Sequence, residues 1–301
     1  MQGTVVTVAD GVHAYVQEPG GWCVNNAGIV VGEDTVLVVD TAATEKRALA
    51  LRDAVDALAP GGRRIVVSTH HHGDHTFGNH VFSGPHTLLV SHDAGPAELV
   101  RKGTALQSMW PHVEWGRTPT VLPTLTVHEG ARLHLGGITA ELIHPGVAHT
   151  SDDLVVWLPG QRVLFAGDLV FSGAAPFVLM GSLAGSIAAL ARLRELDPLV
   201  VVGGHGRVGG PELLAFTEGY LRWVAALAEK GLADGLSPLE TARRTDEGAF
   251  AALLDRERLV GNLHRAFHEA AGGAPGARIE SAPAMREMVA FNGGRPLRCL
   301  A

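Results

Sequence analysis

The chain has 301 residues, 46% apolar and 18% charged, which is enough to bury a substantial core and far from the composition of a disordered chain. Its formal charge of −7, with no basic stripe, argues against a nucleic-acid partner, because phosphate binding needs concentrated Lys and Arg. No apolar run approaches the roughly 18–20 residues that span a bilayer, and the first residues lack the basic-then-apolar pattern of a secretory signal, so a cytoplasmic location without a membrane partner is expected.

Short apolar runs alternate with turn residues in the first third. Residues 4–8, 12–16, 28–31 and 35–40 are expected as strands, with Gly32-Glu33-Asp34 as a hairpin turn. Trp22 and the pair Asn25-Asn26 fall on an early hairpin that could flank a pocket. Residues 45–58 show helical spacing through Leu49, Val55 and Leu58, with Thr44 as N-cap and Pro60-Gly61-Gly62 as the stop. A buried-type strand over 64–69 leads into the run Thr69-His70-His71-His72-Gly73-Asp74-His75. Beyond a polar stretch at 111–123, strands are expected at 126–128, 131–135, 139–144, 154–158, 163–165 and 199–202, and helices at 186–196 and 211–230. Each half runs from strands into helices, which indicates two sheets packed face to face with helices outside. After residue 231 helices are expected at 238–244, 250–254 and 256–270, then a Gly/Pro/Ala-rich segment and a Met-containing tail. The chain is accordingly divided into a main domain, 1–230, and a helical extension, 231–301, packed on it.

Histidine is the unusual entry in the composition, with 16 copies against 2 Tyr. In His70-x-His72-x-Asp74-His75, side chains two apart project from one side of an extended segment, so His70 and His72 can converge on one ion. A tight turn at Gly73 lets Asp74 and His75 reach another. A solvated, tag-like histidine run would be terminal and would not follow a buried strand. His149, Asp168 (at a strand exit) and His205 (in Gly203-Gly204-His205-Gly206) lie in loops bordering expected strands. Singly, each is more often a cap or core polar residue; together they complete two coordination spheres. His71 should face the other way, His144 beside Pro145 suits a supporting position, and Asp152 and Asp153 suit capping and turn roles. Cys23 and Cys299 lie at opposite ends without metal or redox spacing and are expected as free thiols in a reducing compartment, with a single disulfide left open.

These elements, in this order, resemble the metallo-β-lactamase superfamily. The resemblance implies an α/β fold, a four-layer αββα sandwich with metals at one edge between the sheets and here a C-terminal helical appendage. It also implies that His70, His72 and His149 hold one metal, that Asp74, His75 and His205 hold a second, and that Asp168 bridges them. A nitrogen- and oxygen-rich set without thiolate suits two Zn2+, with iron or manganese as alternatives. Ions about 3.5–4 Å apart would share a hydroxide that attacks a carbonyl. Asp74 and Asp168 would then be the catalytic carboxylates that orient it, with Asp74 also a proton shuttle. The expected reaction is hydrolysis of an ester, thioester or lactone.

The rival readings are weaker. Mononuclear iron oxidoreductases of this fold dispense with part of the second sphere, and its diiron flavoproteins usually carry Glu where His72 stands. A β-lactam carboxylate would call for a cation near the metals; no Lys lies between Lys102 and Lys230, leaving Arg162 and Arg207 as candidates. Outside the ligands, residues 22–28 and Phe291-Asn292-Gly293-Gly294 are similar to the second- and third-ring cyclases of aromatic polyketide pathways, which belong to antibiotic biosynthesis. That resemblance implies a cyclase or thioesterase acting on a carrier-protein- or CoA-linked acyl substrate. The segment 171–182 follows Asp168 and is expected to form an apolar wall, so Trp22, Phe171, Phe177 and Met180 are the candidate pocket residues; ordinary core packing accounts for the same composition equally well. Nothing in the pattern indicates an oligomeric state.

Overall fold

In the computed structural model, which describes residues 3–301, strands β1 (Thr4–Ala9), β2 (Val12–Val16), β3 (Ala27–Val31) and β4 (Thr35–Val39) form an antiparallel meander. Helix α1 (Glu45–Leu58) then crosses to β5 (Arg63–Val67), and the short α2 (Gly73–Thr76) and α3 (Asn79–Phe82) lead to β6 (Thr87–His92). These crossovers make β4, β5, β6 and, after α4 (Gly95–Lys102), β7 (Leu125–Val127) parallel. The result is a sheet in sequential order β1 to β7. The second sheet has the order β12-β11-β10-β9-β8, built from β8 (Gly130–His134), β9 (Thr139–Ile143), β10 (Val155–Leu158), β11 (Val163–Phe171) and β12 (Val200–His205). Helices α5 (Leu183–Glu195), α6 (Glu212–Ala233), α7 (Pro238–Arg244), α8 (Arg258–Ala270) and α9 (Ser281–Phe291) complete the chain.

The two-residue period of the strands sets the four layers. Val36 and Val38 of β4 pack with Leu51 and Val55 of α1, whereas Leu37 and Val39 face Leu142, Val156 and Phe165 of the other sheet. In β11, Val163 and Phe165 enter that middle layer while Leu164 packs with Leu190 of α5 and Leu221 and Val224 of α6. The architecture is therefore the αββα sandwich. The extension adds to its outer helical layer: α8 buries Leu259, Val260 and Leu263 in the same cluster as α5 and α6. Helix α6 continues to Ala233, across the boundary expected at 230.

Several local expectations are corrected. The strand expected over 163–165 runs on to Phe171, so Asp168 lies inside β11 and not in a loop. The whole strand is buried, so it has no polar alternation, and Gly167-Asp168 imitates a turn. Gly167 has φ +53, and the pairing with β12 shifts register on both sides of it. His205 is likewise the last residue of β12 and not a loop residue. No helix forms over 250–254; a 3-10 turn at Gly248–Phe250 is followed by Leu254, which pairs with Ala174 in an isolated bridge. Strand β6 and helices α4 and α9 were not expected from the sequence. Cys23 and Cys299 are free and buried, and the Trp22–Cys299 bridge brings these distant ends of the sequence together. Among the described residues no helix is long and apolar enough to cross a membrane.

Candidate metal centre

The site begins with Asp40, just after β4. Its carboxylate accepts the Thr69 N–H at 2.6 Å and the Thr69 hydroxyl at 2.8 Å, and it lies 2.8 Å from His75 Nδ1. Asp40 has φ +62, a backbone state that Asp tolerates better than most residues. This carboxylate therefore fixes both ends of the histidine loop. Sequence reasoning missed it, because the one signal it gives is its position at the end of the strand beside β5.

Each of four imidazoles is oriented by one ring nitrogen. His70 Nδ1 lies 3.0 Å from the Thr69 hydroxyl, His75 Nδ1 meets Asp40, His149 Nδ1 donates to the Phe177 carbonyl at 2.5 Å, and His205 Nδ1 donates to the Val24 carbonyl at 3.1 Å. Their Nε2 atoms are left for the centre. His72 uses its other edge, with Nδ1 at 3.0 Å from His149 Nε2. Two clusters result, His70, His72, His149 and Asp168 in one and Asp74, His75 and His205 in the other, each with its ligand atoms within 4.8 Å of one another.

Asp168 stands between the clusters. Its Oδ2 is 3.4 Å from His149 Nε2 and 4.0 Å from His70 Nε2, while its Oδ1 is 3.1 Å from His75 Nε2 and 3.5 Å from His205 Nε2. The Oδ2 of Asp74 lies 3.3 Å from His205 Nε2. The Nε2 atoms of His70 and His75 and the Oδ1 of Asp168 are buried without a hydrogen-bond partner among the described residues. A buried polar atom left unsatisfied costs about 1–3 kcal/mol, so convergent orphan atoms of this kind fit divalent cations.

The charge balance of the bare site agrees. Burial and neighbouring imidazoles push His70 and His72 well below the usual histidine range. For His75 and His205 burial acts the same way, but the carboxylates outweigh it: His75 rises well above its ordinary value through Asp168, Asp40 and Asp74, and His205 is pushed up to about 9 by Asp168 and Asp74. Burial would raise Asp168, yet the adjoining His205 and His75 hold it well below the carboxylate range. The metal-free cluster thus retains protons on His75 and His205 at neutral pH. Because the folded-state value of His205 lies above its ordinary 6.5, its stabilising contribution is complete below 6.5 and is lost as pH rises through about 9. The melting temperature of chelator-treated protein is therefore expected to fall between pH 6.5 and about 9, while Zn2+ affinity rises over the same window. A flat profile of both quantities would contradict this charge balance.

His71 points away from the ligands, its Nδ1 2.6 Å from Asp152 and its Nε2 3.9 Å from Glu98. Asp152 therefore supports the loop through His71, whereas Asp153 accepts from the Thr150 N–H and hydroxyl in a turn. His144 donates to the Asp153 carbonyl and stacks on His92 at 4.0 Å, outside the two clusters. Asn26 holds the turn around His205 by donating to Gly203 and Gly206 carbonyls at 3.0 and 2.7 Å.

Trp22, Phe171, Phe177 and Met180 line a cavity over the ligands, together with Leu106, Met109 and Met285. Phe171 stacks on His205 at 5.1 Å, and Trp22 meets Phe177 edge-on at 5.1 Å. The cation in this cavity is neither Arg162, which pairs with Asp197, nor Arg207, which pairs with Glu18 on the surface. It is Arg258, from the start of α8, with its guanidinium 4.1 Å from the Trp22 ring and 5.1 Å from Phe171. Arg258 donates to the Ala175 carbonyl at 2.9 Å and pairs with Asp255 at 3.0 Å. Local pattern gives no sign of it, since an Arg opening a helix in the extension reads as surface charge.

The family model of the metallo-beta-lactamase superfamily matches residues 20–205, a span that contains Trp22 and ends on His205. A type 2 metallo-beta-lactamase of Bacillus sp. (strain 170) is 28% identical over 217 residues, covering 68% of this chain and 76% of that protein. The 2,4-dinitroanisole O-demethylase subunit alpha of Nocardioides sp. (strain JS1661) is 26% identical over 209 residues, 68% of this chain and 56% of that protein. A hydroxyacylglutathione hydrolase of Rhodopseudomonas palustris (strain BisA53) is 32% identical over 155 residues, 50% of this chain and 52% of that protein. The chain thus spans little more than half the length of the latter two relatives. A solved metallo-beta-lactamase from Pontibacter korlensis shares the fold with a TM-score of 0.62 at 22% identity, covering 73% of this chain and 99% of that one. By its matched span and its architecture, the chain belongs to the metallo-beta-lactamase superfamily.

Proposed function

We propose that this chain is a dinuclear metal-dependent hydrolase of an apolar acyl ester, thioester or lactone. The observation that carries the reading is Asp168, whose two carboxylate oxygens face different histidine clusters. Two Zn2+ suit these donors, with iron or manganese as the alternatives. Divalent cations bound there would acidify water and polarise a carbonyl. The chain itself supplies the oriented imidazoles, a carboxylate that would serve both clusters, and apolar walls that keep bulk water from the acyl group. Asp74 borders the cavity with Oδ2 3.3 Å from His205, and is the group to carry a proton from nucleophile to leaving group.

The presence of Asp74, His75 and His205 as a second cluster favours hydrolysis over mononuclear iron oxidation. The names of two relatives, a hydroxyacylglutathione hydrolase and a type 2 metallo-beta-lactamase, correspond to the acyl reading and to its main competitor. An apolar lining, with Arg258 already paired to Asp255, favours the acyl substrate over a carboxylate-bearing lactam. In its finer form the proposal is a cytoplasmic cyclase or thioesterase of aromatic polyketide biosynthesis, receiving its substrate on a carrier protein or CoA.

Metal analysis combined with a turnover panel of thioesters, lactones and β-lactams tests this. The expected result is two ions per chain and chelator-sensitive cleavage of a thioester or lactone. One ion per chain, or turnover confined to β-lactams, would overturn it.

A further inference from the structure

The cavity over the ligands is small, about 60 Å³. It has room for a reacting carbonyl and its first carbons, well short of the roughly 300–1,000 Å³ usual for small-molecule sites. A second cleft of about 410 Å³ lies beside it, walled by Trp110, Val289, Pro296 and Leu297 with Arg286 as its one charged lining residue. Met109 and Met285 line both spaces, so these two side chains are the partition between them. The cleft wall is held in place from within, because the buried Trp110 donates its indole N–H to the Leu297 carbonyl at 2.8 Å. Both methionines are half-buried and pack against the apolar core, and among the described residues neither has a hydrogen-bond partner that would fix it. Unbranched and polarisable, a methionine can change rotamer and open a passage without moving the backbone.

We propose that the cleft is a substrate-tail subsite: it takes the distal apolar part of the acyl group, which passes between Met109 and Met285 while its carbonyl sits at the ligand cluster. This rests on the acyl-hydrolase reading and narrows it to substrates with an extended apolar tail. Continuity with the reacting cavity favours this occupant. The cleft shares its inner wall with the cavity over the ligands, and that shared wall is apolar. Selectivity is then set largely by helix α9 and the segment after it, outside the span that the superfamily model matches.

The test compares acetyl and decanoyl thioesters of N-acetylcysteamine. Wild-type protein is expected to favour the decanoyl substrate in kcat/KM by about tenfold or more, since each buried methylene adds to binding. Val289→Trp fills the cleft beyond the partition and is expected to lower the decanoyl-to-acetyl ratio by about tenfold, chiefly through KM. Met285→Ala shortens the partition without adding bulk and is expected to raise that ratio; it decides the matter if Val289→Trp does not fold. Unchanged ratios in the folded variants overturn the subsite. If wild-type protein cleaves neither thioester, the reaction reading falls, and the cleft is judged by calorimetric titration with decanoate. Saturable binding that Val289→Trp weakens upholds the cleft, and no binding, or binding unaffected by Val289→Trp, overturns it.

Discussion

On the proposed dinuclear acyl hydrolysis, replacing Asp168 with Asn is expected to take the protein from two bound divalent ions per chain to one or none, and to lower kcat/KM on a thioester or lactone by about 10³-fold or more. Asn keeps the volume and one oxygen acceptor but loses the charge, and its amide can face only one cluster with oxygen. Either the side of His70 and His149 or the side of His75 and His205 is then opposed by an NH2 group. His205, His75 and His149 hold the carboxylate well below its usual range, and removing its charge also removes the largest of the carboxylate influences that raise His75 and His205 in the bare site, leaving Asp40 and Asp74. The variant should fold, as its side chain remains within β11 and the strand pairing is made by backbone. Metal analysis beside far-UV circular dichroism checks this. Two ions per chain in a folded, active Asn variant would remove the basis of the dinuclear site.

The second large effect comes from a methyl group. A Cβ on Gly204 would lie 1.9 Å from Asp168 Oδ1, 2.9 Å from the Gly167 carbonyl carbon and 3.0 Å from the Asp168 nitrogen. Two of those three neighbours are backbone of the adjoining strand, so no rotamer change relieves the clash. Gly204→Ala is expected to cost about 1–3 kcal/mol of stability by overpacking, and to lose metal and activity together because the displaced atom is the Asp168 oxygen that faces His75 and His205. Gly219→Ala is the matched control: it lies within α6, and its methyl would meet nothing within 4 Å. It should stabilise the helix by about 0.5–1 kcal/mol. Denaturant melts of the two variants, read against metal content, separate a general response to alanine from one directed at the site. A Gly204→Ala protein with unchanged stability and metal content would contradict the close approach of β12 to Asp168.

What the sequence disclosed was what is local. Helix α1 runs over the expected residues because its end signals are adjacent to it: the Thr44 side chain accepts the Arg47 N–H, although of the apolar residues Leu49, Val55 and Leu58 that mark its spacing the buried face includes Val55, joined by Ala48 and Leu51. Helix α7 is equally self-contained, with Ser237 and Glu240 closing a capping box. The motif His70-x-His72-x-Asp74-His75 and its partners stood out for the same reason, as residue types and spacings visible in one dimension. What stayed hidden depends on the third dimension. The division of the two Asp168 oxygens between clusters appears only once β11 lies beside the histidine loop, with His149 and His205 brought in from distant parts of the chain. Asp40 acquires its role only when β4 lies beside β5, and Arg258 only when α8 docks against Trp22. Helix α9 escaped notice because Pro283 and the preceding Gly/Pro-rich stretch read as a tail, although proline is tolerated within a first helical turn.

The order in which the cavity's parts leave the ribosome has a consequence of its own. All seven candidate ligands lie at or before His205, whereas Arg258, Met285 and Cys299, which forms an isolated bridge with Trp22, come later. Domains form from the amino end as synthesis proceeds. Most of the apolar lining, including Trp22, Met109, Phe171 and Phe177, is made with the candidate ligands, so the parts of the cavity added last are the Arg258 guanidinium and the Met285 side chain. What these two contribute to the cavity is encoded apart from the ion-binding residues, and either can change without touching them.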